Sequence, residues 1–554
     1  MSVKRYGIYL AYAPTTDLRG QGLGRHLANM LRGAESRGDM RFALACPGWL
    51  LPEVHKLFAD EGVSPNAYEV ISTRGMPFAL RLYFVVRWLT TLGIRKQPQS
   101  GYSRVARFGS RFMQASEWVV AHFLAARNPL SFLILTPFVL VALVPKALIG
   151  FVRGVRSVAS IAKRAVRLFV KYADNNLPLA KRFGKRLRGI IFKPQYSGFA
   201  FRLYRSIEVT EAKLLVKLIN GRSDISAWYS PTAFWPEFNE IRGPKLMCLP
   251  DVVLSDFPVG FALAGDDRMM HAFVRVEAAV RGANHYVTYS QDVKWSTLVR
   301  RYDIAPGCVY VVPHGNNSLS EFLDVDIGEA SISVDEGCRA YLLEAMRKSS
   351  VPEYTAGFDN IQFEYLFYAS QFRPNKNVLT LLRAYEWLLR HRHVGVKLIL
   401  TGNLDAMPEI RSFIEERGLE MDVLCLRGLS VRQLAACYRL ARLAVNPSLS
   451  EGGFPFTFDE ALSVGTPVVM SRIGVTEEAI TDPELQAEML FDPYDWQDMA
   501  RKIAGALENR ELLFQKQKPV YDIRAQRTWT HVVDDYVSLL DTISREPAAP
   551  VSLS

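Results

Sequence analysis

Residues 446–471 read NPSLSEGGFPFTFDEALSVGTPVVMS. An apolar strand, ARLAVNPS (441–448), ends in a loop carrying Glu451, Gly452 and Gly453. A helix starting near Thr457 follows and holds Asp459 and Glu460, and Gly465-Thr466-Pro467 then turns into another buried strand. Strand, loop, helix and buried strand form the repeating unit of a parallel α/β sheet. Glycines in such a loop let backbone N–H groups approach a ligand closely, and the helix N-terminus offers unsatisfied donors and a positive dipole end to an anion. One carboxylate in the loop and one in the first helical turn are suited to accept hydrogen bonds from sugar and ribose hydroxyls. On spacing alone, a plain strand–loop–helix unit with two surface acids fits as well.

Working outward, the same unit recurs. EYLFYASQ (364–371), VKLILTGN (396–403) and MDVLCLRG (421–428) are each followed by a helical stretch, as are YGIYLAY (6–12) and RFALAC (41–46) near the start. DISAWYSP (224–231), PKLMCLPD (244–251), HYVTYS (285–290) and CVYVVPHG (308–315) continue the first set. An acidic, irregular connector is expected around 320–358. At 554 residues the chain is too long for one core. We expect an α/β protein of two Rossmann-like, doubly wound domains facing a cleft. Residues 1–325 are assigned to the N-terminal domain, 326–535 to the C-terminal domain and 536–554 to a flexible tail. The six cysteines are scattered without CxxC pairs or neighbouring histidines, which argues for free thiols rather than disulfides or zinc. The apolar run of MSVKRYGIYLAYAP is short and reads as a first strand, so a cytoplasmic chain is expected.

The α/β pattern fails over an insert at about 82–205. Thirteen Lys/Arg and one acid, Asp174, lie between Lys146 and Lys193, a net +12 against +11 for the whole chain, so the remainder is near neutral. Asn128–Pro145 is 18 residues without a charge, near the lower limit for a membrane span, but Pro129, Pro137 and Pro145 interrupt it. A dipping hairpin or interfacial segment is expected there. Over 151–171, at about 100° per residue, Arg153, Arg156, Lys163, Arg164, Arg167 and Lys171 fall on one side and Val155, Val158, Ile161, Val166 and Phe169 on the other. That pattern suits a helix lying in an anionic membrane surface, with 128–193 as the contact. A solvated helix packed on its own domain is the alternative; a nucleic-acid surface leaves the uncharged run without a purpose.

Taken together, these motifs resemble the retaining GT-B glycosyltransferases of family four. That family carries a paired-glutamate loop, approximately S-x-E-G-F-G-x-x-x-x-E-A, followed by a G-T-P-V-V strand. Ser450, Glu451 and Gly452 match its start, and Glu460, Ala461 and Gly465 to Val469 its end. The family has seven residues between the glutamates, whereas Glu451 and Glu460 enclose eight. Either the loop bulges at Gly452-Gly453 or Asp459 does the second acid's work. The resemblance implies that Glu451 contacts the donor sugar and Glu460 the nucleotide ribose, with Gly452, Gly453 and Phe454 in the same donor loop. YASQFRPNKNVLTLLRAYEWLL (368–389) ends a strand with Arg373 and Lys376, where the family holds the diphosphate leaving group. DLRGQGLGRHLANML (17–31) carries Gly20, Gly22 and Gly24, and the resemblance brings Gly22 and Gly24 to the donor phosphates. With no acid about twenty residues on at the end of a second strand, an NAD site is not supported. Many relatives carry a His-Asp pair in the acceptor domain; here the match is MCLPD, with Pro250 before Asp251, the acceptor-side candidate. LTGN (400–403) and 426–441 fit the elements lining the nucleotide base.

The expected function is therefore transfer of a sugar from a GDP- or UDP-linked donor, with retention. The favoured sugar is mannose, since EGGFPFTF and EALSVGTPVVMSRI resemble bacterial mannosyltransferase-like members. The expected acceptor is lipid-linked or a polysaccharide, in bacterial surface glycan synthesis, at the inner face of the membrane. No metal is expected, because Lys376 and Arg373 supply the positive charge. Two other readings are a non-catalytic membrane scaffold that keeps the fold, and a different nucleotide-sugar enzyme such as an epimerase.

Overall fold

A computed structural model describes residues 3–14, 16, 18, 22–91, 126, 136, 199–251, 253–265, 267–323, 333–347 and 363–545. The expected membrane-contacting segment 128–193 lies outside them apart from residue 136, and among the described residues no helix is long and apolar enough to cross a membrane.

Two parallel sheets form the architecture. The first contains β1 (Lys4–Tyr9), β2 (Met40–Cys46), β3 (Tyr68–Ser72), β4 (Ala227–Ser230), β5 (Lys245–Cys248), β6 (Tyr286–Thr288) and β7 (Val309–Val311), in the order β3-β2-β1-β4-β5-β6-β7. The second contains β8 (Tyr365–Tyr368), β9 (Lys397–Leu400), β10 (Val423–Cys425), β11 (Leu443–Asn446), β12 (Val468–Ser471) and β13 (Leu490–Phe491), in the order β10-β9-β8-β11-β12-β13. Strands such as AWYS and LAVN are buried on both faces, as a sheet covered by helices on each side requires. The register pairs Tyr6 with Phe42 and Ala227, and Ala444 with Phe367 and Val468.

In each sheet the strand order reverses once, between β1 and β4 and between β8 and β11. Ligands of open α/β sheets bind outside the carboxyl ends of strands at such switch points. Lys376 follows β8 and Glu451 follows β11, so the two motifs meet at the switch point of the second sheet.

Helices of the first unit are α1 (Gly22–Glu35), α2 (Leu51–Asp60), α3 (Phe78–Thr91), α4 (Phe199–Ile219), α5 (Val253–Asp256), α6 (Pro258–Gly265) and α7 (Asp267–Gly282). The expected irregular connector contains a helix instead, α8 (Val334–Met346), which Ser333 and Glu336 start with a reciprocal capping box. The second unit continues with α9 (Val378–Arg392), α10 (Pro408–Glu416), α11 (Val431–Leu440), α12 (Phe456–Ser463), α13 (Gly474–Ala479), α14 (Pro483–Met489), α15 (Trp496–Glu508) and α16 (Arg510–Ala525).

The expected tail at 536–554 requires correction. Helix α17 (Trp529–Arg545) returns to the first unit, where Val532, Val533, Tyr536, Val537, Leu540 and Ile543 are buried in the core of the first sheet. Their spacing is the apolar stripe of an amphipathic helix. The Tyr536 hydroxyl lies 3.4 Å from that of Tyr229 on β4. The C-terminal end of the described chain thus belongs to the N-terminal unit.

Candidate active site

The loop after β8 is built for position. Pro374–Lys376 make one 3-10 turn, and Asn377 takes left-handed angles (φ 54°, ψ 31°) before α9, a conformation asparagine tolerates. Asn377 Nδ2 donates to the Pro493 carbonyl at 2.7 Å. Buried Asn375 ties this loop to the one after β11: its carbonyl accepts from Leu449 N at 2.8 Å, and its Nδ2 donates to the Ser450 carbonyl at 3.3 Å.

Those ties bring Lys376 Nζ to 2.5 Å from Glu451 Oε1, with 19% of each side chain exposed. Burial alone would lower the lysine's proton affinity; the Glu451 carboxylate and Tyr368 outweigh it, and the ammonium is held above its ordinary range. Asp251, just beyond β5, faces the same pair, and burial followed by repulsion from Glu451 pushes its carboxyl upward. Arg373 is exposed at the rim, with Nη2 donating to Gln371 Oε1 at 2.8 Å. Lys376, Glu451 and Asp251 are therefore brought together, and Arg373 borders them.

Gly452 shows why the loop needs a glycine: a Cβ there would lie 1.4 Å from the Pro250 carbonyl oxygen. A Cβ on Gly453 would lie 2.8 Å from the Cβ of Tyr289. The loop lies directly on the N-terminal unit, where Ser290 Oγ donates to the Gly452 carbonyl at 3.0 Å.

The two candidates for the second acid separate clearly. Asp459, expected in the donor site, is fully buried and takes a bidentate pair from Arg524 of α16, both bonds 2.8 Å. It serves the interior of the C-terminal unit, which corrects that expectation. Glu460 faces across the cleft, accepting from Arg25 Nη1 at 3.0 Å and Asn317 Nδ2 at 2.7 Å. Burial raises its carboxyl, and Arg25 opposes that rise. Phe454 is also corrected: its ring packs against Phe458 and beneath the Arg524 guanidinium, 4.2 Å away, inside the unit. Gly24 answers a packing demand, since a Cβ there would sit 2.1 Å from the Leu18 carbonyl oxygen. Gly22 opens α1, and 19–21 before it lie outside the described residues.

Arg25 and Asn317 were missed by the motif reading. The signal for Arg25 is a cation in the first turn of α1, where the helix dipole disfavours positive charge, and the Glu460 carboxylate offsets it. Also missed is an aromatic cluster of the N-terminal unit, which meets Phe456 of α12 at 4.7 Å from His314. His26 packs 5.3 Å from His314, 5.4 Å from Tyr289 and 5.1 Å from Trp529, centroid to centroid. Burial pulls His26 down to about 4 and His314 well below the ordinary histidine range.

Two cavities flank the motif. One, of about 350 Å³, lies beside Glu460 and is lined by Arg25, Arg32, Glu61, Asn317, Glu321 and Trp529 among others. The other, of about 170 Å³, lies beside Glu451 and is lined by Asp251, Asp256, Asp292, Arg301 and Ser450 among others. Among the described residues no group of three or more His, Cys, Asp or Glu is arranged to hold a metal ion.

Residues 360–518 match the family model described as glycosyl transferases group 1. The chain is 34% identical over 145 residues to MMP alpha-(1->4)-mannosyltransferase of Mycolicibacterium hassiacum, covering 26% of this chain and 34% of that one. It is 31% identical over 147 residues to O-antigen chain mannosyltransferase B of Escherichia coli, covering 26% and 37%. The chain thus spans little more than a third of these relatives' length. Its fold is similar to that of Anabaena HepE, solved in complex with UDP and glucose, with TM-score 0.52 at 12% identity over 97% of this chain and 100% of that one. The two-sheet architecture is that of GT-B glycosyltransferases.

Proposed function

We propose that the protein transfers a sugar from a nucleoside diphosphate sugar to a lipid-linked or glycan acceptor, with retention at the anomeric carbon. The observation that carries the proposal is the partly buried Lys376–Glu451 pair at the switch point of the second sheet, within the residues that match the group 1 glycosyl transferases model. The similarity to two mannosyltransferases supports mannose as the sugar, and hence GDP as the nucleotide tried first.

In this reading Glu451 receives hydroxyls of the donor sugar. As the donor bond lengthens, negative charge grows on the departing diphosphate. Lys376, with Arg373 at the rim, meets that charge from a position already fixed by the Asn375 and Asn377 hydrogen bonds, so little reorganisation is needed. These cations take the part a metal would otherwise play. Glu460, released from Arg25, receives the ribose hydroxyls, and the larger cavity beside it receives the nucleoside. Contacts such as Ser290–Gly452 close the cleft over the reaction and exclude water, which favours transfer over hydrolysis.

The acceptor is proposed to be presented at the inner membrane surface through 128–193, a reading that rests on the charge pattern of that segment. Sedimentation of the full chain, but not of a 128–193 deletion, with anionic vesicles is the expected result.

The chemistry is tested by incubating the full chain with GDP-α-mannose and a bacterial lipid extract. A product carrying α-mannose is expected by proton NMR, absent with Glu451→Gln and Lys376→Ala. A β-linked product contradicts retention, and near-normal rates in both variants contradict the site.

A further inference from the structure

The two cavities flanking the Glu451–Glu460 loop differ in charge, the larger mixed and the smaller mainly acidic, and the smaller one has no assigned occupant. The larger carries Arg25 and Arg32 on one face of α1 and the amides of Asn29 and Asn317, balanced by the carboxylates of Glu61 and Glu321. Among the described residues Arg32 makes no ion pair; its Nη2 donates to Asn29 Oδ1 at 2.5 Å. The smaller cavity brings Asp251, Asp256, Asp292 and Glu451 around about 170 Å³, with Ser450 also in its lining. Its cation, Arg301, is already engaged: Nη1 donates to Asp256 at 2.8 Å and Nη2 to the Ser255 carbonyl at 3.2 Å. Lys376, beside it, is engaged by Glu451. The Asp292 carboxylate packs against the start of α13, where Gly474 leaves room for it: a Cβ there would lie 2.5 Å from Asp292 Oδ1. Glu478 of the same helix adds a further carboxylate behind it, accepting from the Asp292 backbone N–H at 2.9 Å.

We infer that the small cavity is the acceptor subsite and that it selects a neutral, hydroxyl-rich sugar residue while rejecting phosphorylated sugars. The inference rests on the proposed glycosyl transfer, and it names the substrate class at that same site. Carboxylates are acceptors only, so they match hydroxyl donors arrayed around a pyranose ring. A phosphate placed there meets two carboxylates, Asp251 and Asp292, that no cation neutralises by direct pairing among the described residues, at separations within a Debye length of about 8–10 Å, where salt screens the repulsion only in part. The same charge keeps the donor's diphosphate out of the small cavity and leaves it to Lys376 and Arg373. Asp292 and Asp256 become specificity-determining residues: they touch the acceptor's hydroxyls and take no part in departure of the nucleotide.

The test measures binding by saturation-transfer NMR on the full chain in the presence of GDP. The probes are methyl α-mannoside, methyl α-glucoside and methyl N-acetyl-α-glucosaminide, each beside its 6-phosphate. At least one neutral glycoside is expected to bind, with its 6-phosphate at least tenfold weaker. Asp292→Lys should abolish binding of the neutral glycoside, and the isosteric Asp292→Asn should narrow the preference over the phosphate at least threefold. Thermal stabilisation by GDP should survive in both variants, which also shows that they fold. The inference is overturned if no neutral glycoside binds, if a 6-phosphate binds as well as its parent, or if Asp292→Lys leaves neutral binding unchanged. Loss of GDP stabilisation in the wild-type chain would instead count against the proposed donor, and the glycoside result stands apart from it.

Discussion

Replacing Lys376 by methionine removes the ammonium of the Lys376–Glu451 pair while keeping most of the side chain's length. Breaking a buried ion pair from one side costs about 3–5 kcal/mol, because the other charge is left uncompensated. A fifth of each side chain is exposed here, so the lower end applies, about 3 kcal/mol. For a unit of this size each kcal/mol is worth about 2–4 °C, and the transition of the C-terminal unit should fall by about 6–12 °C. Catalysis loses a preorganised charge at the leaving group, an effect of about 10²–10³ in kcat. The decisive comparison is Lys376→Met with Glu451→Gln, alone and together, read by calorimetry and by release of nucleoside diphosphate during transfer. With both charges removed, no carboxylate is stranded. The double variant should regain most of the lost stability and none of the lost activity. If the double variant is as unstable as the two losses summed, the pair is not coupled as the 2.5 Å contact requires. If Lys376→Met alone keeps activity within tenfold, the leaving-group role is refuted.

Three further outcomes follow from other parts of the site. Arg524→Met strands the fully buried Asp459 carboxylate and should destabilise the C-terminal unit by about 3–5 kcal/mol in calorimetry, and Asp459→Asn in the same background should restore part of it. Gly452→Ala places a methyl 1.4 Å from the Pro250 oxygen; it should open the cleft, visible as a larger radius of gyration in solution scattering, and raise hydrolysis relative to transfer. His26 is held near 4, below its unfolded value of about 6.5, so the unfolded chain binds the proton first as pH falls. The stability lost grows below pH 6.5 and levels off near pH 4 at about 3 kcal/mol, and His26→Phe should flatten that part of the pH–stability curve.

The parallel sheets and the loop ends carrying Lys376, Glu451 and Asp251 were legible in the sequence because their signals are local. An apolar run, a glycine loop and a helix start lie within about ten residues of one another, and the expected start near Thr457 falls one residue from the observed start of α12 at Phe456. What was not legible depends on residues distant in the chain. Whether Asp459 or Glu460 faces the cleft is fixed by Arg524, 65 positions on, and by Arg25, 435 positions back. Phe454 reads as a loop residue until the Arg524 guanidinium is found over its ring. The mistaken tail had a usable signal: the stripe Val532, Val533, Tyr536, Val537, Leu540 is amphipathic, but nothing local says that it crosses back to the first sheet.

If Lys376 and its neighbours hold the diphosphate of a nucleotide sugar, binding of the nucleotide must depend on Lys376. The most direct measurement is a thermal-shift series of the full chain with GDP, UDP, ADP, CMP and NAD, repeated on Lys376→Ala. One nucleoside diphosphate at a hundred times its Kd should stabilise the wild-type chain by about 2.7 kcal/mol, a rise of about 5–11 °C, and the rise should vanish in the variant. No response to any nucleoside diphosphate, or a rise undiminished in Lys376→Ala, would contradict the account.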